Sequence, residues 1–146
     1  VVSILSADKV KLNAKAEDKW EAIRIAGQLL VSAGHALPGY VDKMIEREQT
    51  LSTYMGGGLA IPHGTKDSKE LIKSTGLSIV QFPDGVDFGD DEKAYLLVGI
   101  AAEGDDHLDI LTNVAMVCSD EDNLEQILKA STAEEMISIF ESGMEA

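Results

Sequence analysis

Residues Ala94 to Ala102 read AYLLVGIAA. Apart from Tyr95 and Gly99, every side chain in this run is aliphatic, and no polar residue interrupts it. A strand with one face in water alternates apolar and polar residues, whereas a strand covered on both faces does not. The run is therefore read as a central strand. It ends abruptly in the polar stretch Glu103-Gly104-Asp105-Asp106. A doubly covered central strand places the chain in the α/β class, with a mixed sheet between helices.

Downstream of the strand, the spacing predicts a helix over His107 to Cys118, with Leu108, Leu111, Val114 or Ala115, and Cys118 on its buried face. Asp105 or Asp106 can cap its start. His107 falls on the first turn of a helix that follows a central strand. That is where open α/β sheets place ligands and where free N–H groups favour an anion. The plainer reading of His107 is a polar first-turn residue. Cys118, in an apolar stretch, reads as a small core residue. Ser119 to Asn123 reads as a turn, and Leu124 to Ala130 and Ala133 to Phe140 as short helices. The second of these opens with the capping-box pattern Thr132-Ala133-Glu134-Glu135.

Upstream, Thr75 to Phe82 reads as a strand, and Pro83-Asp84-Gly85 as a turn before Val86-Asp87-Phe88. Gly89 to Lys93 reads as an acidic loop. Lys66 to Lys73 reads as a short amphipathic helix whose lysines, 66, 69 and 73, form a solvated face or offset a locally negative field. Tyr40 to Gln49 reads as a helix, with Tyr40, Val41, Met44, Ile45 and Glu48 at helical spacing. Arg47 falls on its last turn, where a cation suits the negative end of the helix dipole. Glu17 to Ala33 reads as a helix with Trp20, Ile23, Ala26, Leu30 and Ala33 on one face and Gly34 as its stop. His35 reads as a solvated loop histidine before Pro38-Gly39. Val1 to Leu12 holds a first strand, in which Val10 and Leu12 alternate with Lys9 and Lys11.

The segment richest in chemistry is Gly56 to Thr65, GGGLAIPHGT. Gly56 to Gly58 can adopt backbone angles closed to other residues. Leu59 to Ile61 read as a short buried strand, and Pro62, without an N–H, ends it. His63 is thus held on a stiff stalk, with space beside it at Gly64 and a hydroxyl at Thr65. The same pattern also fits a histidine that merely closes a loop.

The 146 residues suffice for one domain with a substantial core. The net charge of −14 argues against nucleic acid and anionic membrane surfaces as partners, since both call for basic patches. No apolar run approaches the length of a membrane span and no signal peptide is read, so a soluble chain is expected. One cysteine excludes an internal disulfide and fits a reducing cytoplasm. The chain opens at Val1 rather than Met, which fits a trimmed N-terminus.

The stretch STYMGGGLAIPHGT, Ser52 to Thr65, resembles the active-site segment of the mannitol/fructose class of enzyme IIA components of the bacterial sugar phosphotransferase system. MIEREQTLSTY (Met44 to Tyr54) and LLVGIAAEGDDHLDIL (Leu96 to Leu111) match as well, and the resemblance spans about Leu30 to Phe140. It implies that residues 1–146 form one such domain and that His63 is the phosphorylated residue. It further implies that Arg47, matching the arginine of the family's R-E motif, and His107, matching the second active-site histidine, surround it. The implied donor is the phosphocarrier protein HPr and the implied acceptor is the cysteine of a IIB domain. Cys118 lacks the glycine-rich setting of a phosphocysteine loop, so the chain is not the IIB partner. The wording GIAAEGDDHLDIL leans towards the mannitol branch.

Histidine suits reversible phosphoryl transfer, because an ordinary imidazole, with a pKa of about 6.5, is largely neutral and nucleophilic at pH 7. His63 is expected to attack through its outer nitrogen while the inner one is held by an acceptor. Arg47 and His107 are expected to donate to phosphoryl oxygens. No G-x-x-x-x-G-K-[ST] loop is present, so nucleotide is not the expected donor, and neither cofactor nor metal is expected. Two successive partners imply one shared surface, with apolar contact from Tyr54 to Ile61 and polar contact from Arg47, Lys66, Lys69 and Lys73. The alternatives are a regulatory module whose phosphorylation controls a partner and, more weakly, a metal hydrolase built on His63, His107 and a carboxylate. No clustered ligand pattern supports the hydrolase.

Overall fold

The computed structural model describes residues 7–50, 52–56, 58–89, 92–102 and 106–145. Its strands are β1 (Val10–Lys11), β2 (Tyr54–Gly56), β3 (Leu59–Ala60), β4 (Gly76–Asp87) and β5 (Lys93–Ala101). They form one sheet in the order β1-β4-β5-β3-β2. The apolar run 94–102 therefore supplies the middle strand. β5 pairs antiparallel with β4 and parallel with β3, so the sheet is mixed. From Leu96 onward side chains alternate across it: Leu96, Val98 and Ile100 enter one core and Leu97 and Ala101 the other, while Ala94, on the far side of the register shift with β4, also enters the second.

Helices α1 (Lys19–Ser32) and α2 (Tyr40–Thr50) cover the second core. Helices α3 (Asp106–Ser119), α4 (Glu121–Lys129) and α5 (Ala133–Glu145) cover the first, through Val114, Val117, Ile127, Met136 and Phe140. This is the single α/β domain expected from the central strand. Cys118 is buried among the same side chains, and burial pushes its thiol up to about 12.

Several local expectations are corrected. Pro83-Asp84-Gly85 does not end a strand: β4 runs on to Asp87, and its register against β5 shifts between Gln81 and Val86. The three residues form an irregularity within the strand, where Pro83 needs no ladder partner. The turn expected over Ser119 to Asn123 shrinks, because the Asp120 carboxylate accepts from the Asp122 and Asn123 amides and starts α4 early. The 66–73 segment is a 3-10 helix, Lys66–Leu71. The capping box is half formed. Thr132 Oγ1 accepts from the Glu135 amide, but the Glu135 carboxylate accepts from the Ser131 amide instead of its Thr132 neighbour. The first strand is short, Val10–Lys11, and positions 1–6 lie outside the described residues.

The main correction concerns His35, which is 3% exposed. Gly34, at φ +85°, closes α1 as expected, and it does so by a Schellman turn. Its amide donates to the Val31 carbonyl, and the His35 amide donates back to Leu30. That reversal carries the His35 ring inward instead of out into solvent. There it meets Lys9 Nζ at 2.7 Å through Nε2 and Ser74 Oγ at 2.8 Å through Nδ1. Lys9 is 1% exposed, and burial lowers its pKa. The His35 pKa is lowered as well, first by burial and then by the neighbouring Lys9 charge. Among the described residues, every buried side-chain polar atom has a hydrogen-bond partner.

Candidate functional site

Gly56 and Gly58, both at positive φ, turn β2 back onto β3. β3 then runs parallel beside β5, with Leu59, Ala60 and Ile61 buried. Pro62 interrupts the ladder for one step. It resumes at His63, which forms an isolated parallel bridge with Ile100. The Ile100 amide donates to the Pro62 carbonyl at 2.9 Å. His63 thus stands at the end of the central pair of strands, partly exposed.

A contact to its own chain assigns the tautomer of the ring. Nδ1 lies 2.9 Å from the carbonyl oxygen of Ile61. A carbonyl only accepts, so Nδ1 carries the proton and Nε2 carries the lone pair of the neutral ring. Gly64 leaves room for two neighbours: a Cβ there would lie 2.5 Å from Ser68 Oγ and 2.5 Å from Cε1 of Tyr40. Ser68 is buried and donates to the Thr65 carbonyl at 2.5 Å, which folds the chain tightly after the histidine.

Arg47 lies on the last turn of α2, half-buried. The next residue, Glu48, is 3% exposed and fastens that end of the helix. Its Oε1 accepts from the Thr53 amide at 2.8 Å and the Thr53 hydroxyl at 2.7 Å, and its Oε2 pairs with Lys19 at 3.3 Å. The Thr53 carbonyl in turn accepts from the Ile61 amide at 3.0 Å. Two short links therefore connect the end of α2 to the residue whose carbonyl orients His63.

His107 is the second residue of α3, which begins shortly after β5 ends. Its position on the first turn is as expected, and its side chain lies outside the described residues, as do Asp105 and the side chain of Asp106. Of the stretch expected to offer apolar contact, Leu59 to Ile61 is buried, and among its described residues Met55 and Gly56 are exposed. Lys69 and Lys73 are exposed.

Residues 3–143 match the EIIA 2 family of the phosphoenolpyruvate-dependent sugar phosphotransferase system. The chain belongs to this family. It is 52% identical over 137 residues to the mannitol-specific phosphotransferase enzyme IIA component of Geobacillus stearothermophilus, with 94% of each chain covered. It also resembles IIA mannitol of Escherichia coli in two solved structures. One is a complex with phosphorylated enzyme IIB of the mannitol system (TM-score 0.89, 36% identity, 94% of this chain and 97% of that one). The other is a crystal structure (TM-score 0.87, 37% identity, 93% and 98%). As an EIIA protein it is a phosphoryl carrier of a sugar phosphotransferase system.

Two contributors to this EIIA site were not singled out from the sequence. Glu48 and Tyr40 both lie on the buried stripe of α2. A carboxylate or a phenol on such a stripe must find a polar partner, and that requirement was the available signal. The partners of Tyr40, Gly64 and Ile100, are distant in sequence and offer only backbone groups, and Thr53, though five residues from Glu48, lies past the end of α2, so the helical pattern does not point to them. Among the described residues, no helix is long and apolar enough to cross a membrane.

Proposed function

We propose that His63 carries the phosphoryl group, taking it from phospho-HPr on Nε2 and passing it to the cysteine of a IIB domain during uptake of mannitol or a related sugar. The observation that carries this reading is the Nδ1 contact to the Ile61 carbonyl, which leaves the lone pair on the opposite nitrogen. The new P–N bond forms as the bond from phosphorus to the donor breaks in line, and the donor keeps the electron pair. Transfer to IIB reverses the roles, with the cysteine thiolate attacking phosphorus and His63 Nε2 leaving with its pair. Such transfers need positioning and charge stabilisation rather than covalent help from other groups. Arg47, through its planar guanidinium, and His107 supply donors to the phosphoryl oxygens. The first turn of α3 adds a fixed positive dipole.

The choice of mannitol and of these partners is supported by relatives. The similar Geobacillus stearothermophilus protein is mannitol-specific, and the similar Escherichia coli structure is a complex with phosphorylated IIB. The reading is tested by reconstitution: purified chain, phospho-HPr, and a IIB domain of mannitol specificity. Label should pass from HPr through this chain to IIB, and its failure to reach IIB by way of this chain would contradict the assignment.

A further inference from the structure

The backbone on either side of His63 is tied to the same residue by two different means. Before it, the Pro62 carbonyl accepts directly from the Ile100 amide at 2.9 Å. In a parallel ladder the next rung runs from the amide after the bridged residue to the partner's own carbonyl. Here that rung would join the Gly64 N–H to the Ile100 carbonyl. The hydroxyl of Tyr40 stands between those two groups. It accepts from the Gly64 amide at 2.9 Å and donates to the Ile100 carbonyl at 2.7 Å. Tyr40 is the first residue of α2 and only 2% exposed.

We propose that Tyr40 is a positioning residue for His63, acting as a side-chain rung that sets the peptide between His63 and Gly64 away from β5 and so aims the imidazole. This inference rests on the reading of His63 as the phosphoryl acceptor. The geometry is specific to a phenol. The hydroxyl is needed as donor and acceptor at once, and burial, opposed in part by the Gly64 amide, pushes its pKa up to about 12, so the proton stays in place at neutral pH. The ring needs the space that Gly64 leaves, since a Cβ there would lie 2.5 Å from Cε1 of the ring. With both flanking peptides anchored on Ile100, the ring can reach back to the Ile61 carbonyl two residues earlier. Without the hydroxyl, the Gly64 amide and the Ile100 carbonyl lose their shared partner, and the His63–Gly64 peptide is free to rotate towards a direct rung. Because Tyr40 is buried, it offers no surface to an incoming partner protein. Its loss therefore acts on the transfer step, not on partner binding.

The test is Tyr40→Phe, assayed with phospho-HPr over a range of concentrations. Misplacing a reacting group by about 1 Å can cost about 10²-fold in rate, so kcat is expected to fall by about 10- to 100-fold while KM for HPr is unchanged. Long-range nitrogen–proton NMR of the unphosphorylated ring should show the single Nδ1–H tautomer of the wild type giving way to a mixture, which a loss of stability alone would not produce. Gly64→Ala, which presses a methyl against the same ring, should show the same signature, and it decides the matter if Tyr40→Phe does not fold. Wild-type kcat and tautomer in the folded variant, or a raised KM with unchanged kcat, would overturn the proposal. If peptide mapping of the wild-type protein places the phosphoryl group elsewhere than His63, the underlying reading fails and this proposal with it. That result is visible before any variant is made.

Discussion

The Nδ1 of His63 lies 2.9 Å from the carbonyl oxygen of Ile61, two residues earlier in the same chain. The Ile61 amide donates to the Thr53 carbonyl, but the Thr53 amide donates to Glu48 Oε1 and not back to Ile61, which leaves the Ile61 carbonyl to a side chain that doubles back. A backbone acceptor cannot lose or gain a proton, so while the contact holds it sets the tautomer of the neutral ring. On the proposed reading of His63, this contact leaves Nε2 as the nucleophile.

Arg47 and His107 are expected to stabilise transferred charge without accepting it. Removal of one donor to a developing charge costs about 10²–10³ in rate. Arg47→Ala and His107→Ala should each slow transfer by that order, with label still found on His63. Stopped-flow or quench-flow rates for both transfer steps check this, and wild-type rates in either variant would remove that residue from the mechanism.

Glu48 is the structural anchor behind Arg47. Glu48→Ala leaves the buried Thr53 amide and hydroxyl without their acceptor, at a cost of about 1–3 kcal/mol. The midpoint of urea unfolding should fall accordingly, and transfer should slow at temperatures where the variant is still folded. A variant as stable as the wild type would mean that α2 does not depend on this tie.

Much of the fold was legible from AYLLVGIAA alone, because a strand without polar alternation has only one place in a sheet. The histidine stalk was legible as well, since glycine and proline act locally on the backbone. What escaped was whatever depends on groups far apart in sequence. Pro83-Asp84-Gly85 carries a turn signal, yet β5 continues to pair beyond it and absorbs the three residues. His35 follows a helix stop and precedes Pro38-Gly39, all loop signals, but its fate is set by Lys9 and Ser74, 26 and 39 residues away. Tyr40 was legible as a core residue and not as a hydrogen-bonding bridge, because both of its partners are backbone groups.

The buried Lys9–His35–Ser74 chain makes stability depend on pH. The folded pKa of His35 lies below its unfolded value of about 6.5, because burial and Lys9 disfavour its charged form. Below pH 6.5 the unfolded chain therefore binds more protons than the folded one, and stability falls as the pH drops through that range. His35→Gln should show a shallower loss between pH 6.5 and 5 than the wild type in parallel urea titrations. Equal slopes would show that His35 titrates alike in both states.

On the proposed reading, HPr and IIB reach the same phosphoryl group and are expected to use one overlapping surface around His63, with the exposed Met55 and Gly56 at its apolar edge. Neither can bind tightly, and transient contacts of this kind usually bury less than about 1,200 Å² in total. Amide shifts on titration with HPr and with IIB should overlap there. The net charge of −14 should make association with a basic partner face faster at low salt. Two separate footprints, or a ternary complex, would contradict the shared surface.

The central claim is tested most directly by locating the phosphoryl group itself. The chain is phosphorylated by phospho-HPr, then mapped by mass spectrometry of its peptides and by nitrogen–phosphorus NMR of the intact protein. The expected result is one phosphoryl group on His63, bonded to Nε2, with no labelling of a folded His63→Ala variant. Label on another residue, on Nδ1, or on His63→Ala at the normal rate would contradict it.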